Sequence, residues 1–231
     1  LFAVCILLVV VAVFAATLSG TSRAAVHAVL TGMKTGFWYN NLLGDFLYAG
    51  LLLFMLWWIR RLDRRSLIGG VATPPVPQLA AAIFLGLIFA AMTILLISQL
   101  QTHHLVIFHE TARDRLLVSH NPTQLLALLV LVSLLAPLTE ELYFRNILLS
   151  VLRRAWGLVP AILVSAGLFA LVHFQFISNP GAAGWVATMV IFGLGVINAL
   201  WVTRTGFLWL AVASHAAYNA VLIVLPFALG H

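Results

Sequence analysis

Seven long apolar stretches divide the chain, at about 2–18, 42–59, 79–99, 125–152, 159–177, 185–203 and 207–229. Each is continuous and lacks the period-two alternation of a barrel strand, so each predicts a helix. A helix needs ~20 apolar residues to cross the hydrocarbon of a bilayer. The pattern therefore predicts an all-α fold, a polytopic transmembrane helical bundle of about seven spanning helices. The stretch 125–152 is too long for one perpendicular crossing, at ~40 Å, and its first turns are expected to tilt or project. The Gly/Pro-rich segment 69–77 punctuates the chain between the second and third helices. It separates an N-terminal helical hairpin with its linker, 1–78, from a core of five helices, 79–231.

Composition agrees with that reading. The chain is 63% hydrophobic and only 8% charged, with a mean hydropathy of +1.11, whereas a soluble domain carries roughly 25% charged residues. The net charge of +6 does not point to nucleic acid, because the basic residues sit in short loops beside apolar segments. That placement orients a membrane protein with its arginine-rich loops in the cytoplasm. Arg60, Arg61, Arg64 and Arg65 follow the second helix, and alternation from there puts Arg153, Arg154 and Arg204 on the same side. Loops 19–41 and 100–124 fall outside, the latter with two basic and two acidic residues. The expected location is an integral, multi-pass protein of a bacterial inner (cytoplasmic) membrane. The run 2–16 reads as a first spanning helix rather than a signal peptide, since it has no basic n-region and no cleavage site. Most tryptophans, among them Trp57, Trp58, Trp185, Trp201 and Trp209, lie near predicted helix ends, as interfacial anchors do.

Five side chains break the apolar pattern where it should be hardest to break. Glu140, Glu141 and Arg145 lie inside the fourth stretch, His173 in the fifth and His215 in the seventh. Ionisable groups at membrane depth are costly and persist where they pair and do something. Glu141 and Arg145 are four apart, so they share a helix face and can pair. Glu140 points about 100° away from Glu141, toward a cavity between helices. His215 and Asn219 are also four apart, so one helix offers two polar groups to one place. A water held between Glu140 and His173 can be deprotonated and attack a carbonyl. His215 and Asn219 can then donate hydrogen bonds to the developing oxyanion. Amide hydrolysis is the reaction class this set suggests.

Other chemistries fit less well. The single cysteine, Cys5, excludes an intrachain disulfide and a Cys-Cys metal pair. His109-Glu110-Thr111-Ala112-Arg113 begins like the zinc motif HExxH but has arginine in place of the second histidine. There is no GxSxG elbow. His103, His104, His109 and His120 cluster in an outer loop and read as solvated histidines rather than a metal site. Two rival classes remain: a proton- or ion-coupled transporter, in which the same groups form a relay, and a non-catalytic membrane scaffold. A transporter predicts ion-dependent flux and no peptide product.

Glu140-Glu141-x-x-x-Arg145, Phe169-x-x-x-His173 and His215-x-x-x-Asn219, in that order on separate apolar helices, resemble the three signature motifs of the CPBP family. These are the type II CAAX-prenyl endopeptidases and the bacteriocin-processing, self-immunity proteins. The motifs span 137–219; Gly193-Leu194-Gly195 and Arg204-Thr205-Gly206 also resemble the family's linking segment. The resemblance implies an intramembrane endopeptidase of glutamic type whose helices enclose a polar catalytic cavity. Carried over by position, Glu140 and His173 activate water, His215 and Asn219 stabilise the oxyanion, and Glu141, Arg145 and Phe169 support the site. Its partners are the lipid bilayer and a membrane-anchored protein or peptide substrate. No cofactor is expected under this reading. The family is also described as metalloproteases, and in a zinc-dependent version Glu140, His173 and His215 supply the ligands.

Overall fold

The computed structural model describes residues 50, 54, 57, 70, 72–107, 122–173, 175, 179 and 181–229. The first expected spanning helix and nearly all of the second, with His109 and His120, lie outside the described residues. The described residues are helical apart from turns and one isolated bridge. Helix α1 runs Val76–Thr102. A continuous helical stretch over 122–156 follows. It comprises α2 (Pro122–Val130), a π-helical turn (Leu131–Leu135), α3 (Ala136–Glu141), a second π turn (Leu142–Leu148) and α4 (Leu149–Trp156). Then come α5 (Leu158–Leu171), α6 (Ala182–Thr205) and α7 (Leu208–Leu229). Three of these, α1, α6 and α7, are long and apolar enough to cross a membrane.

The starts and stops follow local chemistry. Pro77 occupies the first turn of α1, where its missing N–H has no partner to lose. Gly157 (φ 81°) breaks the chain between α4 and α5. Gly206 (φ 75°) caps α6 in the left-handed conformation, which glycine adopts without a Cβ penalty. The Gly206 carbonyl accepts from Gly70 N–H at 2.6 Å, and Leu208 N–H donates to the Gly70 carbonyl at 3.1 Å. The Gly/Pro-rich linker is thus tied to the α6–α7 turn.

Helix α5 corrects the expected boundary. The fifth apolar run was expected to be helical to 177, but α5 ends at Leu171 and His173 sits in the turn that follows. In the sequence Phe174, Phe176 and Ile177 continue the apolar run past Leu171, so hydropathy does not register the end of α5. At 14 residues, α5 is ~21 Å long, less than the ~30 Å of a bilayer core.

Packing sets the directions of the helices. Ala161 and Ile162 of α5 pack on Ala199 of α6, and Ala166 lies against Gly195, so α5 and α6 are antiparallel. Leu128 packs on Ile223 and Leu142 on Leu208, Ala211 and Val212, so the 122–156 stretch runs antiparallel to α7. Helix α1 runs parallel to α7, with Gly86 beside Ser214 and Ala90 near Tyr218. Arg153, Arg154 and Arg204 therefore share one end of the bundle. The buried stripe Ala82, Gly86, Ala90 and Thr93 on α1 is the small-residue face that lets two membrane helices approach closely. A Cβ on Gly86 would lie 2.2 Å from the Ser214 carbonyl oxygen. Large apolar side chains such as Phe84, Met92, Leu95, Leu163, Trp185 and Met189 face outward, as lipid contact requires.

Candidate active site

The sequence of the 122–156 stretch prepares the site before any other helix arrives. In the first π turn, Ala136 N–H donates to the Leu131 carbonyl, five residues back. The next donor would be residue 137, but Pro137 has no N–H. The Val132 carbonyl therefore lacks the donor that a continued π register would supply. Asn219 of α7 fills that gap, donating from Nδ2 at 2.7 Å. In the second π turn, Leu149 N–H reaches back to the Phe144 carbonyl, which also accepts from the buried Ser165 hydroxyl of α5 at 2.9 Å. Single-turn π insertions inside α-helices occur often at functional sites, and here two of them flank Glu140 and Glu141.

Glu141 is fully buried and meets three partners. Arg145 Nε lies 3.1 Å from Oε2, His215 Nδ1 donates to Oε1 at 2.8 Å, and Asn198 Nδ2 donates to the same oxygen at 3.0 Å. Burying a carboxylate without partners would cost several kcal/mol, on the order of the effective penalty for one ion. The Arg145 guanidinium is also fully buried and has no further acceptor among the described groups. Its carbon lies 4.3 Å from the Phe169 ring centroid and 5.7 Å from that of Phe144, so aromatic faces stand in for acceptors. Gly195 leaves room for this group, since a Cβ there would come within 3.2 Å of Arg145 Nη2 and 3.0 Å of Ala166 Cβ.

Above this layer, Glu140 faces two histidines. His173 Nε2 is 3.8 Å and His215 Nε2 is 4.0 Å from the same oxygen, Glu140 Oε2. These spans exceed a direct hydrogen bond, yet one small molecule can touch all three atoms. The tautomers follow from the partners. His173 Nδ1 faces the Phe169 carbonyl at 2.7 Å, an acceptor, so Nδ1 carries the proton and Nε2 offers a lone pair. His215 Nδ1 faces the Glu141 carboxylate and likewise donates. Phe169 holds both rings edge-on, with centroids 4.7 Å from His173 and 5.5 Å from His215. The Phe169-x-x-x-His173 spacing is thereby explained: the residue supplies a carbonyl to fix the tautomer and a ring to fix the plane.

Glu140, His173 and His215, expected to meet, do meet, and Asn219 stands one turn beyond His215. Glu141, Arg145 and Phe169 form the layer beneath. Asn198 was not expected from the sequence. An asparagine in an otherwise apolar helix was a signal of the same kind as Asn219, but without a second polar residue at helical spacing.

Tetrahedral ligands at zinc distances stand roughly 3.3 Å apart, and the Glu140 oxygen is further than that from either Nε2. Among the described residues no group of three or more His, Cys, Asp or Glu side chains is arranged to hold a metal ion. As they stand, the three donors are spaced too widely for one tetrahedral zinc ion.

Residues 122–221 match the family model described as type II CAAX prenyl endopeptidase, Rce1-like. That segment of the chain resembles this protease family. The matched segment contains every residue of the two layers just described. No curated protein and no solved structure matches the chain. The match to the Rce1-like family over 122–221, together with three helices apolar and long enough to cross a membrane, supports an integral membrane protein with a protease-like segment.

Proposed function

We propose that the chain is an intramembrane endopeptidase that hydrolyses a peptide bond of a membrane-associated protein or tail by a glutamate–water mechanism. The observation that carries this reading is the convergence of two imidazole Nε2 atoms on one oxygen of Glu140. A water there gives one proton to the Glu140 carboxylate and directs its other O–H to His173 Nε2. The activated oxygen attacks the scissile carbonyl carbon. The resulting oxyanion is met by Asn219 and by His215, whose Nε2 bears a proton when the ring is the imidazolium. Glu141 lies against the opposite edge of that ring and is its counter-ion. The intermediate collapses with cleavage of the C–N bond, and Glu140 returns its proton to the leaving amine. The products are one new carboxyl and one new amine terminus. Preorganised donors of this kind contribute ~3–4 kcal/mol each to transition-state stabilisation.

A bacterial inner membrane is the proposed location, and no cofactor is proposed. The test is cleavage of a library of membrane-anchored and C-terminal-tail peptides in detergent, with wild type, Glu140→Gln and chelator-treated enzyme in parallel. Product from wild type and from chelator-treated enzyme, but not from Glu140→Gln, supports the reading. Loss with chelator and recovery with zinc would transfer Glu140, His173 and His215 to metal ligands. Undiminished cleavage by Glu140→Gln would remove the carboxylate from the mechanism.

A further inference from the structure

We propose that Ser165 is a positioning residue for the reaction: its hydroxyl holds the Phe144 carbonyl in the widened turn after Glu141 and thereby keeps Arg145, Glu141 and His215 in line. This role rests on the protease reading above, and it adds to that site a residue of α5 outside the three motifs.

A hydroxyl on a helix ordinarily bonds back to a carbonyl of its own helix. Thr93, Thr139, Ser150 and Thr188 all do so, donating to the carbonyls of Phe89, Leu135, Asn146 and Gly184, four residues back. Ser165 is fully buried yet donates away from α5, to a carbonyl 21 positions earlier in the chain, at 2.9 Å. That oxygen belongs to Phe144 and also accepts from Leu149 N–H, five residues on. In an unbroken α register its donor would be Leu148. The wider spacing of this π turn is thus met by a donor from a second helix, as the Val132 carbonyl of the first π turn is met by Asn219 at 2.7 Å.

The turn holds the layer beneath the site in place. A π turn carries one residue more than an α turn, and losing it would rotate one flank of the helix against the other by about 100°. Glu141 ends the flank before the turn and Arg145 lies within it, so the register decides whether Arg145 Nε reaches Glu141 Oε2, 3.1 Å away. Helix α5 holds Phe144 twice. Ser165 takes its carbonyl, and Phe169, one turn further along the same face, meets its ring edge-on at 5.3 Å between centroids. The Arg145 guanidinium cannot follow a changed register. Gly195 of α6 lies against its Nη2, and its carbon stands 4.3 Å from the Phe169 ring centroid, so it is held between α5 and α6. Glu141 then passes the alignment to His215 Nδ1 at 2.8 Å. Ser165 thus acts on the reaction through the Phe144–Arg145 peptide rather than by contact with the reacting atoms.

The experiment uses the full chain in detergent and needs no substrate. The dipeptide Phe-Arg occurs once in the sequence, at 144–145. Labelling phenylalanine with 13C at the carbonyl and arginine with 15N therefore gives a single amide cross-peak by NMR, which reports the Phe144 carbonyl. Ser165→Ala is expected to move that carbonyl signal upfield, as loss of a hydrogen-bond donor does. It is also expected to move the imidazole 15N signals of His215, identified by their disappearance in His215→Gln. Ser165→Thr keeps the hydroxyl and should leave both near their wild-type positions, with Ser165→Cys, a weaker donor, between. A Phe144 carbonyl unmoved in Ser165→Ala overturns the proposal. A moved carbonyl with an unmoved His215 ring overturns it as well, since Ser165 would then be a local helix contact alone. Should Ser165→Thr fail to fold, Ser165→Ala and Ser165→Cys are read by the same criteria. On a cleaved peptide, Ser165→Ala is expected to lower kcat about tenfold or more with KM little changed, and a loss confined to KM would contradict the positioning role. Absence of cleavage by wild type counts against the protease reading alone, whereas the two NMR signals decide the role of Ser165.

Discussion

His215 Nδ1 donates to Glu141 Oε1 at 2.8 Å, across 74 positions of chain. One imidazole therefore joins the two carboxylates of the adjacent pair, with its other nitrogen 4.0 Å from Glu140. Glu141 is consequently a positioning residue, acting on the reaction through His215. Exchanging it for glutamine keeps an acceptor for Nδ1 but removes the counter-ion of the imidazolium. Glu141→Gln is expected to lower kcat by roughly 10²-fold, within the range for losing an electrostatic stabiliser, with KM little changed. Steady-state kinetics on a cleaved peptide separates the two constants.

The Glu141–Arg145 pair has both partners fully buried. Removing one leaves the other charge uncompensated, at a cost of about 3–5 kcal/mol. Arg145→Ala is expected to show that loss as a reduced unfolding midpoint in detergent. The double variant Glu141→Gln/Arg145→Met should recover a large part of it while remaining inactive. Equal destabilisation of the single and double variants would mean that the pair is not the source of the cost.

Pro137 and Asn219 are coupled through one carbonyl. Pro137→Ala supplies an N–H five residues beyond Val132, whose carbonyl accepts from Asn219 Nδ2 at 2.7 Å. Competition for that oxygen is expected to release the Asn219 amide and lower kcat about tenfold or more, the order expected for a small misplacement in an active site. Stability should stay level or rise, since a backbone hydrogen bond is restored. A fall in activity together with a fall in stability would contradict this account.

Gly86 lies in α1, outside the matched family segment, yet it touches the residue before His215. A Cβ there meets the Ser214 backbone, which cannot yield as a flexible side chain would. Gly86→Ala is expected to cost ~1–3 kcal/mol through overpacking and to reduce cleavage by displacing His215. Gly167→Ala is the matched control, because a Cβ at Gly167 meets nothing within 4 Å. Unfolding midpoint and cleavage rate, measured together, compare the two.

Asn198→Leu removes one of three partners from Glu141 Oε1 and Oε2. The lost hydrogen bond to a charged group corresponds to about 1.5–3 kcal/mol, read as a lower unfolding midpoint. Asn198→Gln, able to donate again from a longer side chain, should restore part of the activity that leucine removes.

The sequence by itself determined the apolar helical character, the motif residues and their grouping into two roles. It could do so because a charge inside an apolar run is expensive wherever the run folds, and because a spacing of four on a helix is a statement about one face. Glu140, Glu141, Arg145, His215 and Asn219 were legible on those grounds alone, and the family resemblance added Phe169. The tertiary structure decided what depends on distant parts of the chain. Hydropathy could not show that α5 stops at Leu171, since Phe174, Phe176 and Ile177 keep the run apolar. Asn198 became a site residue only when α6 was packed antiparallel to α5 and brought it to Glu141. The two π turns, and the open carbonyl that Pro137 leaves for Asn219, required backbone geometry that composition does not encode.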